Sequence, residues 1–363
     1  MKKRDYGIDL LRLACMGLIV LHHLLNHGGL LFAFPVYSNS GMLVHLLNAF
    51  TRCAVNGYAL ISGYVLVNAR FRPSRFLSLW LQVVFYGVLA IVCIPLFFPE
   101  TVVLASDWLK ALLPVSTDHY WYFTCYAAIF CLSPVLNQML RSLSRRQAML
   151  FAGALIFLFS ILPTLAQTDP FQLQAGYHTG WLMIVYLLGG ILRLHGLGWL
   201  KRWKITLPLF LACILISWAS RLYCLSIDAN HPASYLLLNY DAPTTLLCAL
   251  ILLALFQGMR LPDGLTKAVS TLSPLTFGVY LIHDNPLVRK HLIKMRMTAL
   301  AGLNPVLLIL GLFACWAGLY AVCLLMEWLR TKLFALLRVP ALCEHAEKRL
   351  FQWGDRRFPE ADA

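Results

Sequence analysis

Charged side chains are scarce in this sequence: Asp, Glu, Lys and Arg make up 13% of 363 residues, against 60% apolar residues and a mean hydropathy of +0.71. That deficit excludes an ordinary soluble domain, whose apolar share is roughly 45–50%. Also missing is any long polar interval, so no separate soluble catalytic module is expected. Residues 1–335 read as one membrane-embedded domain, followed by a cytoplasmic tail over 336–363. No small-residue cleavage site follows the apolar core of "MKKRDYGIDLLRLACMGLIVL", so this opening stretch is expected to form the first transmembrane helix rather than a signal peptide. The 11 cysteines form no CxxC pair, which argues against a disulfide framework and leaves them as small hydrophobes in the core or against lipid. Neither an internal repeat nor an inverted-repeat signature is visible.

Long apolar runs are what the sequence does have. A hydrocarbon core of about 30 Å needs about 20 helical residues. About ten segments qualify: 7–29, 41–67, 76–98, 121–140, 147–165, 179–194, 205–225, 242–259, 270–287 and 304–329. The expected fold is therefore an all-α integral membrane protein of about ten transmembrane helices. Orientation follows from Lys and Arg in the connecting segments. With the N-terminus in the cytoplasm, "RFRPSR" (70–75), Arg141, Arg145, Arg146, the stretch from Arg193 to Lys204, Arg260, Lys267 and the tail from Arg330 all fall inside. An even number of spans returns the C-terminus to the cytoplasm as well. "VRKHLIKMR" (288–296) is the exception, strongly basic yet placed on the outer side. The net charge of +14 calls for no nucleic-acid partner, because inward basic loops facing the anionic lipid of the bilayer account for most of it.

An ionisable group in mid-membrane costs about 2.5–3.5 kcal/mol on insertion scales, and it usually faces a polar cavity or a partner. "LRLACMGLIVLHHLLNHGG" (11–29) nevertheless holds Arg12, His22, His23 and His27. The separation of Arg12 and His23 is about three helical turns plus 20°, so they share a face with a rise of about 16 Å. Arg12 then sits near the cytoplasmic boundary and His23 deep in the bundle, where a neutral imidazole suits general-base work. A structural interhelical hydrogen bond is the alternative use of such a histidine. His23 and His27 also have the i, i+4 spacing of a metal pair, but no further ligand signature accompanies them and no metal is expected.

Other polar clusters are spread along the chain. Arg52 precedes the small-residue segment "AVNGYALISGYVL". Arg72 and Arg75, around Pro73 at a helix start, are spaced to clamp phosphates, although positive-inside topology alone also supplies such arginines. "DHYWYFTCYAAIFCLSPVLNQML" (118–140) brings His119 and Trp121 to an outer interface, as belt aromatics or as a sugar-stacking surface. "TFGVYLIHDNPLVR" (276–289) sets His283 and Asp284 at the outer end of a span, where the pre-proline Asn285 leaves the helix. Glu327 and Arg330 read as a structural i, i+3 ion pair near the inner face.

Taken in order, these motifs resemble the acyltransferase 3 family of integral-membrane acyltransferases, over nearly the whole chain. Arg12 and His23 meet that family's pattern of an arginine, ten residues and a histidine, and Arg72 and Arg75 meet its arginine, two residues, arginine motif. "ISGYVL" (61–66) looks like its second-helix core, with Asn56 and Tyr58 where many members carry proline and phenylalanine. "YWYFTCYAAIFCLSPVLN" and "FGVYLIHDNPLVR" look most like members from exopolysaccharide and capsule gene sets. The resemblance implies an O-acetyltransferase of the cell inner membrane. It would move an acetyl or other short acyl group from acyl-CoA, acetyl-CoA in the first instance, to a sugar hydroxyl of a cell-surface polysaccharide or its lipid-linked precursor. His23 and Arg12 would be catalytic, Arg72 and Arg75 would hold the CoA phosphates, and Arg52, His119, Trp121, His283 and Asp284 would meet the glycan acceptor. With no SGNH-type hydrolase domain in the sequence, the membrane domain is expected to complete the transfer. His23 either deprotonates the acceptor or carries the acyl group itself. A secondary transporter or flippase of a lipid-linked sugar would also use buried Arg and His, and is the main alternative; a membrane sensor or scaffold is another.

Overall fold

The computed structural model describes residues 4–196 and 198–357, and every regular element among them is a helix. α1 (Tyr6–Asn26) starts at Asp5, whose carboxylate accepts the Ile8 amide at 3.4 Å and so caps the first turn. α2 (Asn39–Thr51) and α3 (Ala54–Leu66) follow. α4 (Pro73–Phe97) places Pro73 in its first turn, where a missing N–H costs nothing. A short α5 (Ala105–Leu112) precedes α6 (Trp121–Ser142), and α7 (Arg145–Ile156) passes through a π turn at Phe157–Ile161 into α8 (Leu162–Ala166). Then come α9 (Thr179–His195), α10 (Trp203–Ile227), α11 (Pro243–Phe256), α12 (Asp263–Leu272) and α13 (Thr276–His283). The one-turn α14 (Pro286–Val288), α15 (Pro305–Leu336) and α16 (Val339–Arg357) close the order.

Among the described residues, seven units are long and apolar enough to cross a membrane: α1, α4, α6, α7 with α8, α10, α12 with α13, and α15. The protein is thus a multi-pass membrane protein. The other three expected segments are helical but do not reach that length unbroken. α9 and α11 have only 17 and 14 residues, and the segment expected over 41–67 breaks between α2 and α3. At that break Arg52 does not snorkel outward. Its guanidinium is buried, with Nε donating to the Leu238 carbonyl at 2.6 Å. The segment expected over 270–287 begins earlier, at Asp263, and is interrupted by a 3-10 turn at Ser273–Leu275, where Pro274 has no N–H to continue the ladder.

Burial locates the functional interior. The apolar window of α1 is 67% buried and that of α15 only 17%, so α15 shows most of its surface to lipid while α1 is surrounded by α2, α3, α11, α12, α13 and α15. The histidines and arginine of α1 therefore face protein. α3 and α9 lie backbone to backbone, because a Cβ at Gly63 would run into the Tyr186 carbonyl and one at Gly189 into the Leu60 carbonyl. α16 lies along α4 and reaches the start of that helix.

Candidate active site

At the N-terminal end of α1 a carboxylate is buried among cations. Asp9 is 6% exposed. Arg4 Nε donates to its Oδ2 at 2.5 Å, Arg12 Nη1 to its Oδ1 at 3.3 Å, and the Ser273 hydroxyl to the same Oδ1 at 2.9 Å. Burying a carboxylate is tolerable only with such partners. Arg12 also donates to Ser273 Oγ at 3.2 Å, which ties α1 to the 3-10 turn between α12 and α13. One Asp thus serves two guanidiniums, leaving a net positive mouth. Arg12 lines a cavity there with Arg4, Asn68 and Arg193, and a second cavity of about 200 Å³ that leads inward past Ser62 and Tyr126.

The inward cavity shares Tyr58, Tyr122 and Phe277 with a third one, of about 170 Å³, that holds His22, His23 and His27. His23 Nδ1 lies 3.0 Å from His283 Nε2 and 3.6 Å from Asp284 Oδ1. His283 Nδ1 in turn lies 2.6 Å from the Val279 carbonyl, one helical turn back. Asp284 accepts from Arg289 Nη1 at 2.9 Å, and Arg289 forms part of the cavity wall. The end of α13 is pinned from outside: Tyr120 donates its O–H to the Leu281 carbonyl at 2.9 Å, and Asn285 Nδ2 donates to Tyr120 Oη at 2.8 Å. Asn285 Oδ1 accepts the Leu287 amide at 3.0 Å and so caps α14.

The expected site residues divide between these two ends. Arg12 and His23 line neighbouring cavities with three wall residues in common, and His283, Asp284 and Trp121 join His23. His283 does not lead out of the membrane as expected; it is fully buried against His23. Arg52 stands behind the cavity wall, 3.4 Å from His22 Nε2 and stacked 4.4 Å from the Tyr240 ring centroid. His119 is not in the wall; only its neighbour Tyr120 acts on the site, through Asn285. Arg72 and Arg75 line a separate cavity with Arg70 and Arg141, at the same end as Arg12. There Arg72 pairs with Glu344 at 3.0 Å and stands 3.8 Å from Glu347, both on α16. Hydrogen bonds from Ser74, with Arg72 and Arg70 nearby, hold the Glu347 carboxyl below its ordinary range. The Glu327–Arg330 ion pair forms as expected, and the Tyr86 hydroxyl adds a bond to Glu327 at 2.7 Å.

Several lining residues were not anticipated. Tyr177 and Tyr240 join Tyr58, Tyr122 and Tyr280, all three in motifs already singled out, to give the His23 cavity an aromatic wall, and the Tyr280 hydroxyl is buried there without a hydrogen bond. Asp9 was visible in sequence as an i, i+3 partner of Arg12; Tyr177 and Tyr240 come from distant segments and carried no such signal. His23, His27 and Asp284 offer three ligand atoms within 4.8 Å, enough to begin a metal site. Arg289 meets the Asp284 charge and His283 bonds His23 Nδ1 within the same cluster.

Membrane-length helices around a polar chamber, with guanidiniums at one end and paired imidazoles at the other, define an integral-membrane protein built for chemistry inside the bundle. A family model described as an acyltransferase domain matches residues 5–328, and the chain belongs to that family, acyltransferase 3. It is accordingly a membrane acyltransferase, with α16 lying beyond the matched region. No curated protein and no solved structure matches the chain.

Proposed function

We propose that this protein transfers an acetyl or other short acyl group from acyl-CoA to a sugar hydroxyl of a cell-surface polysaccharide, of the exopolysaccharide or capsule type, or of its lipid-linked precursor. The observation that carries this reading is the succession of neighbouring cavities from Arg12 to His23, which share Tyr58, Tyr122 and Phe277 in their walls. A donor with an anionic head and a long thin arm fits that shape. The cavities at His23 and above Arg12 are too small for a nucleotide but admit a pantetheine arm, while the arginines around Arg12, Arg72 and Arg75 suit the phosphates. All ten helical segments would cross the inner membrane, with both termini and the arginine mouth on the cytoplasmic side. The α1 rise of about 16 Å from Arg12 to His23 matches an extended arm.

The acceptor then comes from the other end, where Trp121 and Tyr177 offer aromatic surface for a sugar ring and Arg289 with the basic stretch up to Arg296 offers positive charge. That stretch is tied to the end of α1, with the Met295 amide donating to the His27 carbonyl at 2.9 Å. Because both approaches end at His23, acyl transfer is direct: His23 takes the hydroxyl proton as oxygen attacks the thioester carbon. The test uses purified protein in nanodiscs with labelled acetyl-CoA and native glycan extract, wild type beside His23→Ala. CoA release with label on glycan, lost in the variant, is the expected result. Label trapped on the protein would overturn direct transfer, and no CoA turnover by wild type would move transport of a lipid-linked sugar to the front.

A further inference from the structure

His283 has been placed beside His23, but its own hydrogen bonds say more than proximity. A backbone carbonyl can only accept, so the 2.6 Å contact with Val279 requires the proton of His283 to sit on Nδ1. A neutral His283 then has only a lone pair on Nε2, and that lone pair faces His23 Nδ1 at 3.0 Å. His23 must therefore carry its proton on Nδ1. The Asp284 carboxylate, 3.6 Å from the same Nδ1, favours the same assignment. Its second nitrogen, Nε2, is left unprotonated, and no protein group among the described residues hydrogen-bonds it. His23 lines the cavity, so this free lone pair belongs to the reaction chamber.

We infer that His283 is a positioning residue that fixes the tautomer of His23, so that Nε2 and not Nδ1 is the reacting nitrogen. The inference rests on the acyl-transfer reading for its chemistry but on hydrogen bonding alone for its geometry. The order is Val279 carbonyl, His283, His23, acceptor. It plays the part that a carboxylate plays behind the histidine of a hydrolase triad, here with a second imidazole, and with Asp284 placed to the side. Nothing in the arrangement requires His283 to touch substrate.

In the transfer, the acceptor O–H gives its proton to His23 Nε2 while its oxygen forms a bond to the thioester carbon. The carbon–sulfur bond then breaks, and the departing thiolate takes that proton back from Nε2 and leaves as the thiol of CoA. His23 passes through an imidazolium whose Nδ1–H is already held by His283, with Asp284 close by to offset the charge. Arg289, on the far side of Asp284, keeps that carboxylate oriented. His23 ends in the tautomer in which it began. The pinning of α13 by Tyr120 and Asn285 keeps the two rings in register.

The experiment separates positioning from packing. His283→Leu removes the acceptor, whereas His283→Gln offers Oε1 to His23 Nδ1–H at similar reach. In the turnover assay, His283→Leu is expected to lower kcat by about 10²–10⁴-fold with KM for donor and acceptor little changed, the scale seen when a general base is held in the wrong tautomer. His283→Gln should recover most of that loss, and added imidazole should partly rescue His283→Ala. A folded His283→Leu with wild-type kcat, or a His283→Gln as inactive as His283→Leu, overturns the inference. A second readout does not depend on turnover. In ¹⁵N-histidine-labelled protein, His23 of wild type should show an unprotonated Nε2 and a protonated Nδ1, and His283→Leu should redistribute that proton. A wild-type His23 protonated on Nε2 rules the relay out even if acyl transfer itself is confirmed; the predicted tautomer without CoA turnover would instead place the failure in the acyl-transfer reading.

Discussion

Gly278→Ala tests how closely the reaction chamber depends on packing at a distance. Gly278 lies on α13, one turn and a half before His283, and faces α15. A Cβ at this position would meet Glu327 Cγ at 2.5 Å and come still closer to its carboxylate. Glu327 cannot swing aside cheaply, because it is 1% exposed, paired with Arg330 and hydrogen-bonded by Tyr86 at 2.7 Å. Either that network opens, or α13 moves away from α15. Overpacking of this kind costs about 1–3 kcal/mol, and uncoupling a buried ion pair about 3–5 kcal/mol; the smaller cost is expected to prevail, so α13 shifts. His283 rides on α13, and its 3.0 Å bond to His23 does not survive a displacement of about 1 Å, which is enough to lose about 10²-fold in rate. Thermal unfolding in detergent should fall by several degrees and kcat by about 10²-fold, with donor KM unchanged. Gly318→Ala on α15, where nothing lies within 4 Å of the new Cβ, is the control and should be neutral or slightly stabilising. A Gly278→Ala protein with wild-type kcat would refute the coupling of α13 position to the site.

Three further outcomes are expected. Arg12→Ala should weaken donor kcat/KM by about 10- to 150-fold, the worth of one charge-assisted hydrogen bond to an anion, while thermal stability changes little because Arg4 and Ser273 still serve Asp9; an unchanged donor kcat/KM counts against the arginine mouth. Glu344→Gln combined with Glu347→Gln releases Arg72 from α16 and should lower donor KM by roughly two- to five-fold, read from initial rates across an acetyl-CoA series. A rise in KM would mean instead that α16 helps to build the donor seat. Trp121→Ala should raise acceptor KM by about three- to tenfold and leave the donor term alone, since Trp121 lines the cavity at the His23 end and not those described around Arg12.

Much of the α-helical content was legible from apolar run length, because a helix that meets lipid must be apolar over a fixed span. The seam between α2 and α3 was not, nor was the burial of Arg52 at it, since its partner Leu238 is far away in sequence. The pairing of Arg12 with His23 was legible for a similar reason: helical periodicity within α1 is local. His283 was visible as a polar residue at a helix end, yet its role depends on α13 lying against α1, which no local pattern reports. The aromatic wall was hidden in the same way. Tyr58, Tyr122 and Tyr280 stood in motifs the sequence offered, but Tyr177 and Tyr240 belong to other segments, and each taken singly reads as an ordinary membrane tyrosine. The Arg72 pairing with α16 was equally unreadable, since it depends on a helix that folds back from the end of the chain onto α4.

The central proposal is a donor path from the arginines around Arg12 to His23, past Tyr58, Tyr122 and Phe277. The most direct measurement is a cryo-EM structure of the full chain in nanodiscs with a non-hydrolysable acyl-CoA analogue. Phosphate density at the Arg12 and Arg72 end, a pantetheine arm passing between Tyr58, Tyr122 and Phe277, and an acyl carbon within reach of His23 Nε2 is the result predicted. An analogue seated elsewhere, or an arm that leaves His23 unreached while the enzyme still turns over, would contradict it.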